Sequence, residues 1–135
     1  MFTKKMLEEL EYQITGACIE VHKALGPGLL ESVYHKCLLR EFQLRSLNFV
    51  SEQVVAVGYK DILLDTELRA DFFVEHAIVV ELKAVKEIEP IHDAQLLTYM
   101  KLLRSPKGLL FNFYCTNIVQ NGKKSFVNEF YREII

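Results

Sequence analysis

Cysteine is scarce in this chain, and its few copies are not arranged for chemistry. Cys18, Cys37 and Cys115 make an odd number, none belongs to a CxxC pair, and each has apolar neighbours. Buried free thiols are expected, and the spacing argues against a zinc site. His22, His35, His76 and His92 are scattered, with no HxH or HxxxH spacing, so structural or surface roles are expected of them. No apolar run is long enough to span a membrane, because charges recur throughout. The opening stretch MFTKKMLEELEYQ has a basic pair and then acids. It lacks the apolar core and small-residue cleavage site of an export signal, and a cytoplasmic location is expected. There is no surplus of one charge either, the formal net value being −2. Proteins that coat DNA are usually basic, so any contact with nucleic acid must come from a local patch.

What the chain does have is a balanced globular composition. Half of its 135 residues are hydrophobic and a quarter are charged, enough for one core. Repeats, linkers and low-complexity segments are missing, so a single domain over 1–135 is expected. Residues 5–24 repeat apolar side chains (Leu7, Leu10, Ile14, Cys18, Val21) with helical period. Gly26-Pro27-Gly28 breaks the chain. A second helix is predicted over 30–46, through Leu30, Tyr34, Leu38 and Phe42. Strands are predicted at 52–59, 67–75 and 77–85, which are rich in β-branched and aromatic residues. Pro90 suits the first turn of a third helix over 91–104. Leu109–Cys115 reads as a further strand, Asn121-Gly122 as a turn and Phe126–Tyr131 as the last strand. The order α-α-β-β-β-α-β-β predicts an α/β domain whose mixed sheet is flanked by helices.

The segment Ile78-Val-Val-Glu81-Leu-Lys83-Ala-Val85 carries the chemistry. A strand apolar on both sides belongs in the middle of a sheet. Glu81 and Lys83 interrupt it two residues apart, hence on one face, and buried charges are costly unless paired or metal-bound. The alternative is a solvated Glu–Lys pair, which the apolar Val79 and Val85 on that face oppose. In the preceding strand Leu68, Ala70, Phe72 and Val74 alternate with Asp71. A three-residue loop centred on His76 sets Asp71 opposite Glu81, where the two carboxylates repel unless a divalent cation lies between them. A two-residue loop would put them on opposite faces. Glu31 heads the inward stripe of the second helix, although an acid in a first helical turn is also favoured by capping and the macrodipole.

These residues have a familiar order. Gly28-Leu-Leu-Glu31-Ser-Val-Tyr34, Arg69-Ala-Asp71, Glu81-Leu-Lys83, Ala94-Gln95-x-x-x-Tyr99 and Gly108-Leu-Leu-x-Asn112-Phe113 follow one another along nearly the whole chain. The series resembles the GxxExxY family of the PD-(D/E)XK nuclease superfamily, with Ala70 where the superfamily name has proline. The resemblance implies a restriction-endonuclease-like αβββαβ core, here preceded by an extra N-terminal helix. It implies that Asp71, Glu81 and Glu31, with the Leu82 carbonyl, hold Mg2+, for which Mn2+ may be substituted experimentally. Lys83 would activate the attacking water and stabilise charge on the phosphate. Gln95 would act beside the metal and Tyr99 on the substrate.

Lys101, Arg104 and Lys107, with Lys123 and Lys124, are the densest basic groups. They are the expected contacts for DNA or RNA phosphates, although cations at a helix C-terminus also complement its dipole. The expected function is Mg2+-dependent phosphodiester hydrolysis, with selectivity supplied by a homo-oligomer, a partner protein or the substrate's shape. The alternative is a non-catalytic nucleic-acid-binding or assembly module that keeps the fold. A metal titration separates the two.

Overall fold

A long helix, α1 (Lys4–Leu25), opens the computed structural model, which describes residues 2–134. The Thr3 hydroxyl caps it, accepting from the Met6 amide at 3.0 Å and satisfying a donor that has no partner inside the helix. Leu7, Ile14, Ala17, Cys18 and Val21 are buried along one stripe. The helix ends at Gly26. Gly26 and Gly28 have φ values of 68° and 101°, in the region where side chains are strained. The chain turns there into α2 (Glu31–Leu44), which buries Tyr34, Leu38 and Phe42.

Five strands form the main sheet in the order β1 (Phe49–Val54), β4 (Arg69–Val74), β5 (Ile78–Lys83), β6 (Lys107–Asn112) and β7 (Lys123–Val127). Only β5 and β6 run parallel, joined through α3 (Pro90–Leu102). The α1 and α2 stripes pack with Phe72, Val74, Ile78, Val80 and Phe111. On the other face Leu96, Tyr99 and Met100 of α3 pack with Phe73, Val79 and Leu110. Helices on both faces explain why β5 is apolar on both. Gly108 lets α3 approach closely, since a Cβ there would lie 2.5 Å from Met100 Sδ. The architecture is the mixed α/β sheet flanked by helices that the pattern predicts.

Two predicted strands differ from the observed ones. The 52–59 segment is divided between sheets. After β1 the chain leaves the main sheet, and β2 (Val57–Tyr59) pairs with β3 (Ile62–Leu64) in a separate hairpin. The 126–131 segment is divided by Asn128, whose side-chain oxygen accepts from the Phe130 and Tyr131 amides at 3.1 and 3.4 Å. That cap starts a short helix, α4 (Glu129–Arg132), and outweighs the β preference of the aromatic residues. Asn121 and Gly122, read as a turn, belong to one wide helical turn over Ile118–Gly122.

Glu11 of α1 ties the helix to the sheet edge. Its carboxylate meets Lys107 at 2.6 Å and Lys123 at 2.7 Å and accepts from Ser125 Oγ at 3.0 Å. Burial alone would raise its pKa, but the two lysines hold it below the usual value. Glu11→Ala leaves two half-enclosed ammonium groups facing each other, and a loss of about 2–3 kcal/mol in urea unfolding is expected. A loss under about 0.5 kcal/mol would mean the cluster behaves as an exposed pair.

Candidate active site

The site is built on the β4–β5 hairpin. Glu75 and His76 both take φ of 53°, and the Ala77 amide donates to the Val74 carbonyl at 2.9 Å, a turn whose twist suits an antiparallel hairpin. The register Val74↔Ile78, Phe73↔Val79, Phe72↔Val80 is that of a three-residue loop centred on His76. One step further, Asp71 lies opposite Glu81, and the backbone ladder gives way to side chains. The Asp71 amide donates to Glu81 Oε2 at 2.9 Å, and the Leu82 amide donates to Asp71 Oδ2 at 2.8 Å. Each of these amides thus donates to a carboxylate of the opposite strand and not to a backbone carbonyl, and backbone pairing of β4 with β5 stops at Phe72↔Val80, where the strands fork. The N–H and C=O of a strand residue point the same way, so the Leu82 carbonyl faces the fork.

The neighbouring strand and helix enlarge this acidic centre. Ser51↔Phe72 and Gln53↔Ala70 bracket Glu52, which stands level with Asp71 at a φ of 57°. Glu52, Asp71 and Glu81 therefore form a row across three strands. From α2, His35 stacks on Phe72 with ring centroids 4.3 Å apart. Its Nε2 is 2.8 Å from Ser51 Oγ and 3.7 Å from Glu52 Oε1, and its Nδ1 is 3.9 Å from Asp71 Oδ1. Glu31, Ser32, His35, Lys36, Glu52 and Asp71 line a cavity of about 260 Å³.

Crowding of carboxylates shows in their protonation. Burial first, and the Asp71 charge second, push the Glu81 carboxyl up to about 9, against a counteracting pull from Lys83. Burial and Asp71 also raise Glu31, with Lys83 opposing and Glu52 adding to the rise. Like charges opposed across strands are destabilising, and a divalent cation among them removes that cost. The donor set fits one. Asp71, Glu81, Glu31 and the Leu82 carbonyl offer only oxygen, which suits Mg2+. His35, Glu52 and Asp71, whose donor atoms lie within 4.8 Å of one another, add a nitrogen that Mn2+ also accepts.

Lys83 ends β5 beside Asn112. Its carbonyl accepts from the Phe113 amide at 2.8 Å, while its charge acts on both Glu31 and Glu81. Across the sheet, Gln95 Nε2 donates to the Tyr99 hydroxyl at 3.2 Å. Burial, then the charges of Glu81 and Asp71, raise the Tyr99 hydroxyl pKa.

The basic group is elsewhere. Lys101 and Arg104 are exposed at the C-terminal end of α3, and Lys107 opens β6 opposite Ile78. Lys83 lies five residues along β5 from Ile78, a rise of about 16 Å. Lys107 is also poorly available to a phosphate, its ammonium paired with Glu11 and its side chain only 11% exposed. Lys123 shares that carboxylate, and Lys124 is paired with Asp93 at 2.6 Å. Two further residues stand at the centre, His35, of which the sequence suggests only a structural or surface role, and Glu52. His35 carried a signal, standing four residues after Glu31 on the same helical face. Glu52 carried none, since its partner strand is distant in the chain.

The comparisons with known proteins agree with this geometry. The sequence profile of the PD-(D/E)XK nuclease superfamily matches residues 8–125, a span that holds every residue of the acidic centre. No curated protein and no solved structure matches the chain. Among the described residues no helix is long and apolar enough to cross a membrane. With nearly the whole chain covered by the profile, and a fork of carboxylates beside a strand lysine at its centre, this protein belongs to the PD-(D/E)XK nuclease superfamily.

Proposed function

We propose that this protein is a metal-dependent nuclease that hydrolyses phosphodiester bonds of DNA or RNA, within the GxxExxY branch of its superfamily. The observation that carries the reading is the fork itself. Asp71 and Glu81 oppose each other across parted strands, with Glu31 lining a cavity beside Asp71 and Lys83 acting electrostatically on both glutamates. Asp71 and Glu81, with the Leu82 carbonyl and Glu31, are the proposed ligands of Mg2+ or Mn2+, and His35 and Glu52 extend the set. A bound cation of this kind supplies Lewis acidity at the phosphoryl oxygen and a more acidic water. The chain's own residues do the rest. Lys83 is the candidate either to place a positive charge where negative charge grows on the phosphate or, in its neutral form, to take a proton from the attacking water. Gln95 and Tyr99 present an amide and a hydroxyl to the same space and orient the phosphate. The nearly neutral surface leaves selectivity to substrate shape or to an associated protein.

A panel of single- and double-stranded DNA and RNA, incubated with Mn2+ and with Mg2+, tests this. Cleavage of at least one substrate that disappears in Lys83→Ala is the expected result. A protein that neither cleaves nor gains melting temperature with either cation is instead a binding or assembly module.

The distance to the α3 C-terminus yields a second expectation. Arg104 adjoins Ser105, whose hydroxyl donates to the Ala77 carbonyl at the Ile78 end of β5, and with about 3.4 Å per nucleotide contact with Lys101 and Arg104 calls for a substrate several nucleotides long. Charge reversal at both should weaken binding and flatten the salt dependence for long substrates while leaving short ones unchanged. Equal weakening for a four-nucleotide substrate would place these residues at the cleavage site.

A further inference from the structure

No side-chain cap holds the helix end that carries Glu31. Glu31 is the first residue of α2, and the N-cap position is Leu30, whose side chain makes no capping hydrogen bond. The preceding chain reversal contains two glycines with positive φ, which gain the most freedom when released. One buried side chain closes this reversal. The Tyr34 hydroxyl donates to the Gly26 carbonyl at 2.5 Å and accepts from the Leu29 amide at 3.2 Å. The Tyr34 side chain is fully buried, and its hydroxyl meets the half-exposed loop from the inside. Its ring stacks on Phe113 at 4.5 Å between centroids, with planes 19° apart. Phe113 in turn donates its amide to the Lys83 carbonyl at 2.8 Å.

We propose that Tyr34 is a positioning residue that sets Glu31 against Lys83. Its hydroxyl clamps the loop that delivers Glu31, and its ring fixes that clamp to the residue bonded to the end of β5. The spacing of Gly28, Glu31 and Tyr34 then has one physical reason. The glycine permits the reversal, and the tyrosine one helical turn beyond the glutamate reaches back to lock it. The role rests on the reading of Glu31 as part of a cation site, and it concerns no direct contact between Tyr34 and the cation or substrate.

Tyr34→Phe removes the hydroxyl and keeps the stack on Phe113. Three measurements test the role. In hydrogen exchange, the Leu29 amide should lose its protection while core amides of α1 and β5 keep theirs, showing an intact fold. In calorimetry with Mn2+ alone, affinity should fall by about tenfold, within the scale of the two hydrogen bonds lost. In a Glu31→Gln background the same change should have no further effect on Mn2+ affinity, because a clamp that acts through Glu31 has nothing left to position. A Leu29 amide that stays protected, or an equal Mn2+ penalty with and without Glu31, overturns the role of Tyr34 and leaves the cation site standing. Wild-type protein that binds no Mn2+ overturns the cation reading, and the proposal with it.

Discussion

Replacing Lys83 by alanine is expected to leave a protein that binds Mn2+ at least as tightly as the wild type and turns over substrate at least about a hundredfold more slowly. The ammonium cannot ligate a cation, and it lies close enough to Glu81 and Glu31 to oppose their raised pKa values. It must oppose an incoming dication in the same way. Removing it therefore relieves repulsion in the binding step and deletes a positive charge from the chemical step. Glu81→Ala has the opposite binding signature, losing affinity together with activity. A calorimetric Mn2+ titration of the two inactive variants separates them. Lys83→Arg retains charge but cannot deprotonate near neutral pH. Activity in that variant assigns Lys83 to electrostatic stabilisation, and its loss assigns Lys83 to proton transfer or to exact donor geometry. Full activity in Lys83→Ala would mean that the chemistry is done elsewhere.

Cation binding should also be steeply linked to pH. Glu81, lifted to about 9 by burial and by Asp71, holds a proton at pH 7 in the metal-free fold, whereas the same carboxyl in the unfolded chain has lost it. The folded state then binds more protons than the unfolded one, so metal-free stability falls as pH rises from about 4.5 towards about 9 and levels off beyond. A cation takes that proton's place. Its affinity should rise about tenfold per pH unit over that window, with close to one proton released per cation at pH 7. Calorimetry in buffers of different ionisation enthalpy counts the proton directly. In Glu81→Gln the metal-free melting temperature should lose its downward slope with pH. A Mn2+ affinity that does not change between pH 6 and pH 8 would mean Glu81 is already ionised or is no ligand.

The sequence made some of this centre legible because the relevant interactions are local. Asp71 and Glu81 belong to one hairpin, and a single short turn fixes which residues face each other. Alternation along β5 identified Glu81 and Lys83 for the same reason. Glu52 was illegible because β1 meets β4 across the β2–β3 hairpin, and no local rule sets that register. Its left-handed backbone also removes it from the alternation. Histidine-to-histidine spacing says nothing of His35, whose informative neighbour is Glu31 four residues earlier. The basic group misled in another way. Charge density along a chain says nothing of the counter-charge that tertiary structure supplies, and Glu11 claims Lys107 and Lys123 from the far end of the sequence.

The side chains that complete the forked ladder change what can be inferred from a drifting lineage. Asp71 and Glu81 accept backbone amides of each other's strands, so selection for folding alone would retain acceptors at both positions after catalysis had been lost. Their persistence in a descendant is weak testimony to activity. Lys83 is different, since its side chain supplies the fork with charge and no backbone partner among the described residues. If the proposed activity is lost, change should therefore reach the lysine first, and a descendant that keeps side-chain acceptors at 71 and 81 with a neutral residue at 83 is the expected trace of that loss.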